Sequence, residues 1–172
     1  MQKFTFINAI PADAVEISNL LNSAYRGEGS KVGWTTEADL VSGERTDAVK
    51  IESLIKEAGS HFILCIDIES KYIIGCVHVK QENSETAYFG MLAVRPNLQA
   101  NGIGKALIRQ VQEFAISKDH KQIRITVINL RDEILAFYNR LGFMFTGREE
   151  VFPLGDLVKV KGLKLLELIK KL

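Results

Sequence analysis

The stretch Arg95-Pro96-Asn97-Leu98-Gln99-Ala100-Asn101-Gly102-Ile103-Gly104-Lys105-Ala106-Leu107 decides how this chain is read. It leaves a strand-like run, Ala87–Val94, and opens an amphipathic helix. That helix carries Ile103, Ala106, Leu107, Val111, Phe114 and Ala115 on one side. Two glycines at the helix start remove side chains where a ligand would touch bare backbone. The first-turn amides lack intrahelical partners and point outward, and the helix dipole adds partial positive charge there. Those are the requirements for holding a phosphate or pyrophosphate. The stretch is an anion cradle in form.

Two well-known cradles do not fit. The dinucleotide fingerprint wants a third glycine where this chain has Leu107, and a Walker loop wants Ser or Thr where it has Ala106. What is left is Gln-x-x-Gly-x-Gly, with Gln99, Gly102 and Gly104. Downstream come a strand candidate, Ile123–Ile128, and a helix closing as Ala136-Phe137-Tyr138-Asn139-Arg140-Leu141-Gly142-Phe143. The two motifs, in this order and separation, resemble the coenzyme A loop and the tyrosine element of the GNAT N-acetyltransferase superfamily. The resemblance runs from the first strand to the last. The wording Tyr25-Arg26-Gly27-Glu28, then Gly33-Trp34-Thr35-Thr36-Glu37-Ala38-Asp39-Leu40 and Arg45-Thr46-Asp47, together with Thr146-Gly147 and Phe152-Pro153, looks like one bacterial subgroup of it.

Composition sets the frame. A length of 172 residues suits one domain, here residues 1–172, and 47% hydrophobic with 25% charged residues is ordinary for a globular chain. A formal net charge of +1 gives no bulk attraction to nucleic acid or membrane. No apolar run approaches membrane-spanning length, and Met1-Gln2-Lys3-Phe4 lacks signal-peptide anatomy, so the cytoplasm is the expected compartment. Cys65 and Cys76 form no metal-ligand spacing; a tight turn at Ser70-Lys71 would set them nearly opposite each other across a hairpin, as two small core residues. His61, His78 and His120 are scattered, and no metal site is expected.

Periodicity supplies the elements. Lys3–Ile7 alternates as a strand; a helix starts at Asp13, with Glu16 completing a capping box and Ile17, Leu20, Leu21 and Ala24 buried. A second helix spans Asp47–Ala58, stopped by Gly59. Strands follow at Phe62–Ile68, Tyr72–Val79 and Thr86–Val94, then the cradle helix, strand Ile123–Ile128 and helix Asp132–Leu141. Final strands lie near Phe143–Phe152 and Leu163–Lys170; the last of these also suits a short helix, and the resemblance favours a strand. This order is α+β, a mixed and largely antiparallel sheet with helices on both faces. The strands ending at Val94 and Ile128 are joined by a helix and so are parallel.

The resemblance implies an acetyl-coenzyme A-dependent N-acetyltransferase that passes an acetyl group directly to an amine. It implies that the parallel pair splays apart, with Leu92, Ala93 and Val94 beside the pantetheine arm and Gln99, Ala100, Asn101, Gly102, Ile103, Gly104, Lys105 and Ala106 around the pyrophosphate. Tyr138 matches the family tyrosine that protonates the departing thiolate. Where many members have a coenzyme A-binding Asn, this chain has Arg131, with Asn129 two residues earlier; both are candidates. A protonated amine cannot attack, so a carboxylate is expected as general base, with Glu28, Glu37, Glu82 and Glu85 available. The long connection between the first two helices is expected to wall the acceptor pocket, with Trp34, Thr35 and Thr36 lining it and Glu28 or Glu37 facing a cationic acceptor. The expected acceptor is a small-molecule or peptide amine, and the expected assembly a monomer or homodimer. A non-catalytic acyl-coenzyme A binding or sensing module is the alternative.

Overall fold

In the computed structural model, which describes residues 3–172, the chain forms one seven-stranded sheet in the order β1-β2-β3-β4-β5-β7-β6. The strands are β1 Phe4–Asn8, β2 Ser60–Asp67, β3 Ile73–Gln81, β4 Thr86–Val94, β5 Gln122–Ile128, β6 Met144–Val151 and β7 Lys164–Lys171. The helices are α1 Ala14–Tyr25, α2 Ala48–Lys56, α3 Ile103–Ser117 and α4 Asp132–Arg140. Every strand pairing is antiparallel except β4 with β5. The expected α+β architecture is present, and the ambiguous last segment is a strand.

The sheet separates two apolar layers. On one face α1 and α2 bury Ile17, Leu20, Leu21, Ala24 and Ile51 against Phe62, Leu64, Ile73 and Cys76. On the other, α3 buries Ile103, Leu107, Ile108, Val111 and Ala115 against Val77, Val79, Ala87 and Phe89, with Tyr138 of α4 and Phe143 beside them. Each such apolar side chain contributes roughly 1.5–3 kcal/mol, so these layers dominate the stability. A third, smaller cluster joins Val41, Ile128 and Leu163 with Phe152 and Leu154. It docks the β6–β7 connection onto the long α1–α2 connection, helped by Ser42 N–H donating to the Leu157 carbonyl at 2.7 Å and a bridge between Val41 and Val158.

Three local expectations need correction. Cys65 pairs with Gly75 in the hairpin and Cys76 with Leu64, so the cysteines fall on opposite faces of the sheet instead of facing each other. Burial pushes both thiols up to about 12, which makes them inert. The capping box at Asp13 and Glu16 does not form. Asp13 instead accepts from the Ile10 amide at 2.8 Å across a short 3₁₀ turn, and Glu16 Oε1 accepts from the Ile73 amide at 3.1 Å. The second helix ends at Lys56, two residues early, although Asp47 caps its start as expected by accepting from the Lys50 amide at 2.9 Å.

The decisive irregularity is in β4. The register against β3 slips so that Val77 faces both Met91 and Leu92, and Met91 takes φ +51°. A non-glycine residue at positive φ is costly, and such a bulge bends its strand. The β4–β5 ladder accordingly stops at Tyr88↔Arg124. Beyond it the two strands diverge, and the gap is where the clefts of the molecule meet.

Candidate active site

Two clefts approach the splay from opposite sides. The first, of about 340 Å³, runs from the N-terminus of α3 past Val94 and Leu92 to Tyr138. Gly102 caps α3 at φ +81°, a conformation L side chains resist, and a Cβ there would meet nothing within 4 Å. A Cβ on Gly104 would find only Val94 Cγ2, at 3.8 Å. The surface over both glycines is therefore open to a ligand. The first bond inside α3 runs from the Ala106 amide to the Gly102 carbonyl at 3.0 Å. The amides of Ile103, Gly104 and Lys105 precede it and carry the positive end of a helix of 15 residues. An acetyl-coenzyme A pyrophosphate fits that cradle. Ala106, expected among the ligand contacts, commits its amide to the helix and does not line the cleft; Asn101 also lies outside it, its Nδ2 donating to the Leu98 carbonyl at 3.2 Å.

Gln99 is a staple. Its Oε1 accepts from the Trp34 amide at 2.8 Å, and its Nε2 donates to Thr35 Oγ1 at 2.9 Å and to the Val94 carbonyl at 3.1 Å. It thereby ties the α1–α2 connection to the end of β4. Gly33 is required for this, because a Cβ there would sit 2.5 Å from Gln99 Oε1. The staple draws Trp34 and Thr35, expected beside the acceptor, onto the first cleft, which they share with the start of α3. Trp34 packs edge-on to Phe137 with ring centroids 5.6 Å apart. Thr36 lines neither cleft; its hydroxyl bonds Ser30 Oγ and accepts from the Ala38 amide at 3.1 Å. Arg131 is the second tether: its guanidinium donates to the carbonyls of Trp34 and Thr36 and pairs with Glu133 at 2.6 Å.

The second cleft, of about 660 Å³, opens on the other side of the splay between β4, β5, the α1–α2 connection and Phe152-Pro153-Leu154. Tyr25, Leu92, Ile134 and Tyr138 line both clefts and form their junction. The Tyr25 hydroxyl donates to the Leu92 carbonyl. Burial holds Tyr138 well above the usual phenol range, so it stays protonated at neutral pH. Its ring is fixed among Phe137, Phe143 and Phe89, at centroid distances of 5.2, 5.6 and 6.2 Å.

Glu37 is the carboxylate on this side. Its side chain is 13% exposed, with Oε2 3.3 Å from Nη2 of the buried Arg26. Burial raises its carboxyl, opposed by Arg45, Arg26 and Arg131. Glu28 does not join it: the side chain is 86% exposed, pairs with Lys31 at 2.9 Å, and faces a different surface hollow. Glu82 is tied to Arg124 at 2.6 Å, and Glu85 lies outside both clefts. Asn129 is structural as well, with Oδ1 accepting from the Lys164 amide at 2.9 Å and Nδ2 donating to the Gly162 carbonyl at 3.1 Å. Leu92 and Val94 line the first cleft as expected, whereas Ala93 is buried toward α1.

Sequence reasoning gave no site role to Tyr25, Arg26, Arg45 or Thr46, although all four stand in the subgroup wording. Tyr25 continues the stripe of Ile17, Leu20, Leu21 and Ala24 by one position, a signal that is indistinguishable from core. The other three reach the cleft only through the path of an irregular connection.

Residues 15–143 match the Acetyltransferase (GNAT) family, and the chain belongs to it. Human N-acetyltransferase 8B is 28% identical over 124 residues, covering 69% of this chain and 53% of that protein. The chain thus matches about half the length of this curated relative. Ard1 from Thermoplasma volcanium superposes with a TM-score of 0.77 at 15% identity, over 99% of both chains. A GNAT family acetyltransferase from Elizabethkingia anophelis, solved with acetyl-CoA bound, gives 0.66 at 20% identity over 100% of both. At these identities the likeness speaks for the fold. Among the described residues there is no group of three or more His, Cys, Asp or Glu placed to hold a metal, and no helix long and apolar enough to cross a membrane.

Proposed function

We propose that residues 1–172 form one acetyltransferase domain that transfers an acetyl group from acetyl-coenzyme A directly to a primary amine. The observation that carries this is the meeting of the two clefts at Tyr138 and Leu92, with the α3 N-terminus at the far end of one and Glu37 in the other. Bound acetyl-coenzyme A supplies the activated thioester. The amides of Ile103, Gly104 and Lys105 hold its pyrophosphate, and the edge of β4 at Leu92 and Val94 guides its arm toward the junction. Glu37 takes a proton from the amine, directly or through one water. Tyr138 delivers its phenolic proton to the sulfur that leaves and recovers one from solvent or the amine. Both buried cysteines lie outside the junction, so the transfer needs no acyl-enzyme.

The test combines thiol release across an amine panel with calorimetry on Gly104→Val. A Cβ at residue 104 fits the protein, so the variant folds, but branched methyls cover the cradle. Acetyl-coenzyme A affinity should fall at least about tenfold, or 1.4 kcal/mol. Unchanged affinity in the folded variant refutes the cradle; absent turnover with every amine, despite tight binding, points to the sensing module instead.

A further inference from the structure

The second cleft carries a charge pattern that acetyl transfer alone does not require. Its charged lining is Arg26, Arg45 and Lys50 against the single carboxylate of Glu37. Lys50 is exposed and leans on Asp47 at 3.5 Å, and Arg26 pairs with Glu37 at 3.3 Å, which leaves Arg45 as the cation of this lining without a carboxylate partner among the described residues. Arg26 is 7% exposed. Its Nη1 donates to the Ser42 carbonyl at 3.2 Å and its Nη2 lies 3.3 Å from Glu37 Oε2, while Nε is buried without a hydrogen bond. Oγ1 of Thr46, also buried, is unbonded too. The Arg45 guanidinium has no ion pair or hydrogen bond among the described residues and stands 6.0 Å over the Tyr25 ring, whose hydroxyl marks the junction. Buried polar groups are almost always satisfied, and an unpartnered one that lines a cleft is a candidate contact for a ligand.

We propose that the acceptor carries a carboxylate beside its amine, held by Arg26, Arg45 and Thr46, and is an amino acid with an apolar side chain. This rests on the acetyltransferase reading above and names its substrate class. A guanidinium fork matches the two oxygens of a carboxylate, and the Thr46 hydroxyl can donate a further bond. The wall of Phe152, Pro153, Leu154 and Leu165 suits an apolar side chain. A polyamine, by contrast, would set a second ammonium against two arginines, and the cationic acceptor expected from the acidic residues of this connection is disfavoured for the same reason.

The experiment compares L-leucine and L-phenylalanine with their carboxamides, and with spermidine, in thiol release. The carboxamide's amine is the less basic and so the more available, which makes a preference for the carboxylate attributable to the protein. The expected kcat/KM ratio is tenfold or more in favour of the free amino acid, falling to within about twofold in Arg45→Gln. A readout independent of turnover runs beside it: with coenzyme A saturating, calorimetry compares N-acetyl-L-leucine with N-acetyl-L-leucinamide on parent and Arg45→Gln proteins. Their melting temperatures and coenzyme A affinities report folding. Tighter binding of the carboxylate, lost in the variant, supports the anion site even where every amine fails to turn over, an outcome that would sink acetyl transfer alone. Absence of that discrimination, or carboxamides or spermidine serving as well as amino acids, overturns the proposal.

Discussion

Replacing Gln99 with Ala tests whether this motif residue serves the ligand or the protein. The truncation removes three well-formed hydrogen bonds, at 2.8, 2.9 and 3.1 Å, and a long fourth one from the Thr35 amide at 3.4 Å. At about 1 kcal/mol net for each good bond, the sum is roughly 3 kcal/mol. The Trp34 amide is exposed and recovers a water, which trims the figure to about 2 kcal/mol. For a chain of this size that lowers the melting temperature by about 4–8 °C. Urea unfolding supplies the energy, and amide exchange at Trp34 and Thr35 should accelerate selectively as the connection detaches. Gly33→Ala provides the cross-check, because its Cβ would expel the same amide group from 2.5 Å away. The two substitutions break one contact, so the double variant should be less destabilised than the sum of the singles by about 1–2 kcal/mol. Strict additivity, or a loss below about 0.5 kcal/mol in Gln99→Ala, refutes the staple.

Tyr138→Phe keeps the ring packing and should lower kcat roughly 100-fold with acetyl-coenzyme A affinity unchanged; kcat within twofold of the parent makes the tyrosine a core residue only. Glu37→Gln should lower kcat at least about tenfold and remove the acid limb of its pH profile, a limb lying above the ordinary carboxylate range because burial raises this group. An acid limb that persists assigns the base elsewhere. His78, stacked on Phe62 and bonded to Ser60 Oγ at 2.7 Å, has its imidazole pushed down to about 4, first by burial and then by Lys80. Between pH 6.5 and 4 the unfolded chain binds the proton that the folded one refuses, so stability falls on acidification through that window, by on the order of 3 kcal/mol in full. Urea titrations across it should be flatter for His78→Gln, and identical slopes would show that His78 is not the group responsible.

The elements of the fold were legible because each carries a local signal. The stripe Ile17, Leu20, Leu21 and Ala24, the cap at Asp47 and the Gly102-Ile103-Gly104 helix start act within a few residues of chain, where spacing reports directly on which face is buried. The family motifs around Gly102 and Tyr138 are local in the same sense, and both ends of the first cleft follow from them. The positive φ of Met91 has no such signal; it is imposed by the register with β3, and it opens the splay on which the site depends. The assignments in the α1–α2 connection also needed the fold. Its acidic residues look alike in sequence, yet Glu28 stays in water while Glu37 is drawn beside Arg26, because Gln99 and Arg131 tether the intervening backbone from positions 64 to 97 residues away. The excess of arginine around Glu37 is likewise invisible along the chain, whose net charge is only +1. Periodicity and caps belong to the sequence; which charges share a low-dielectric cleft depends on long-range contacts that no local spacing encodes.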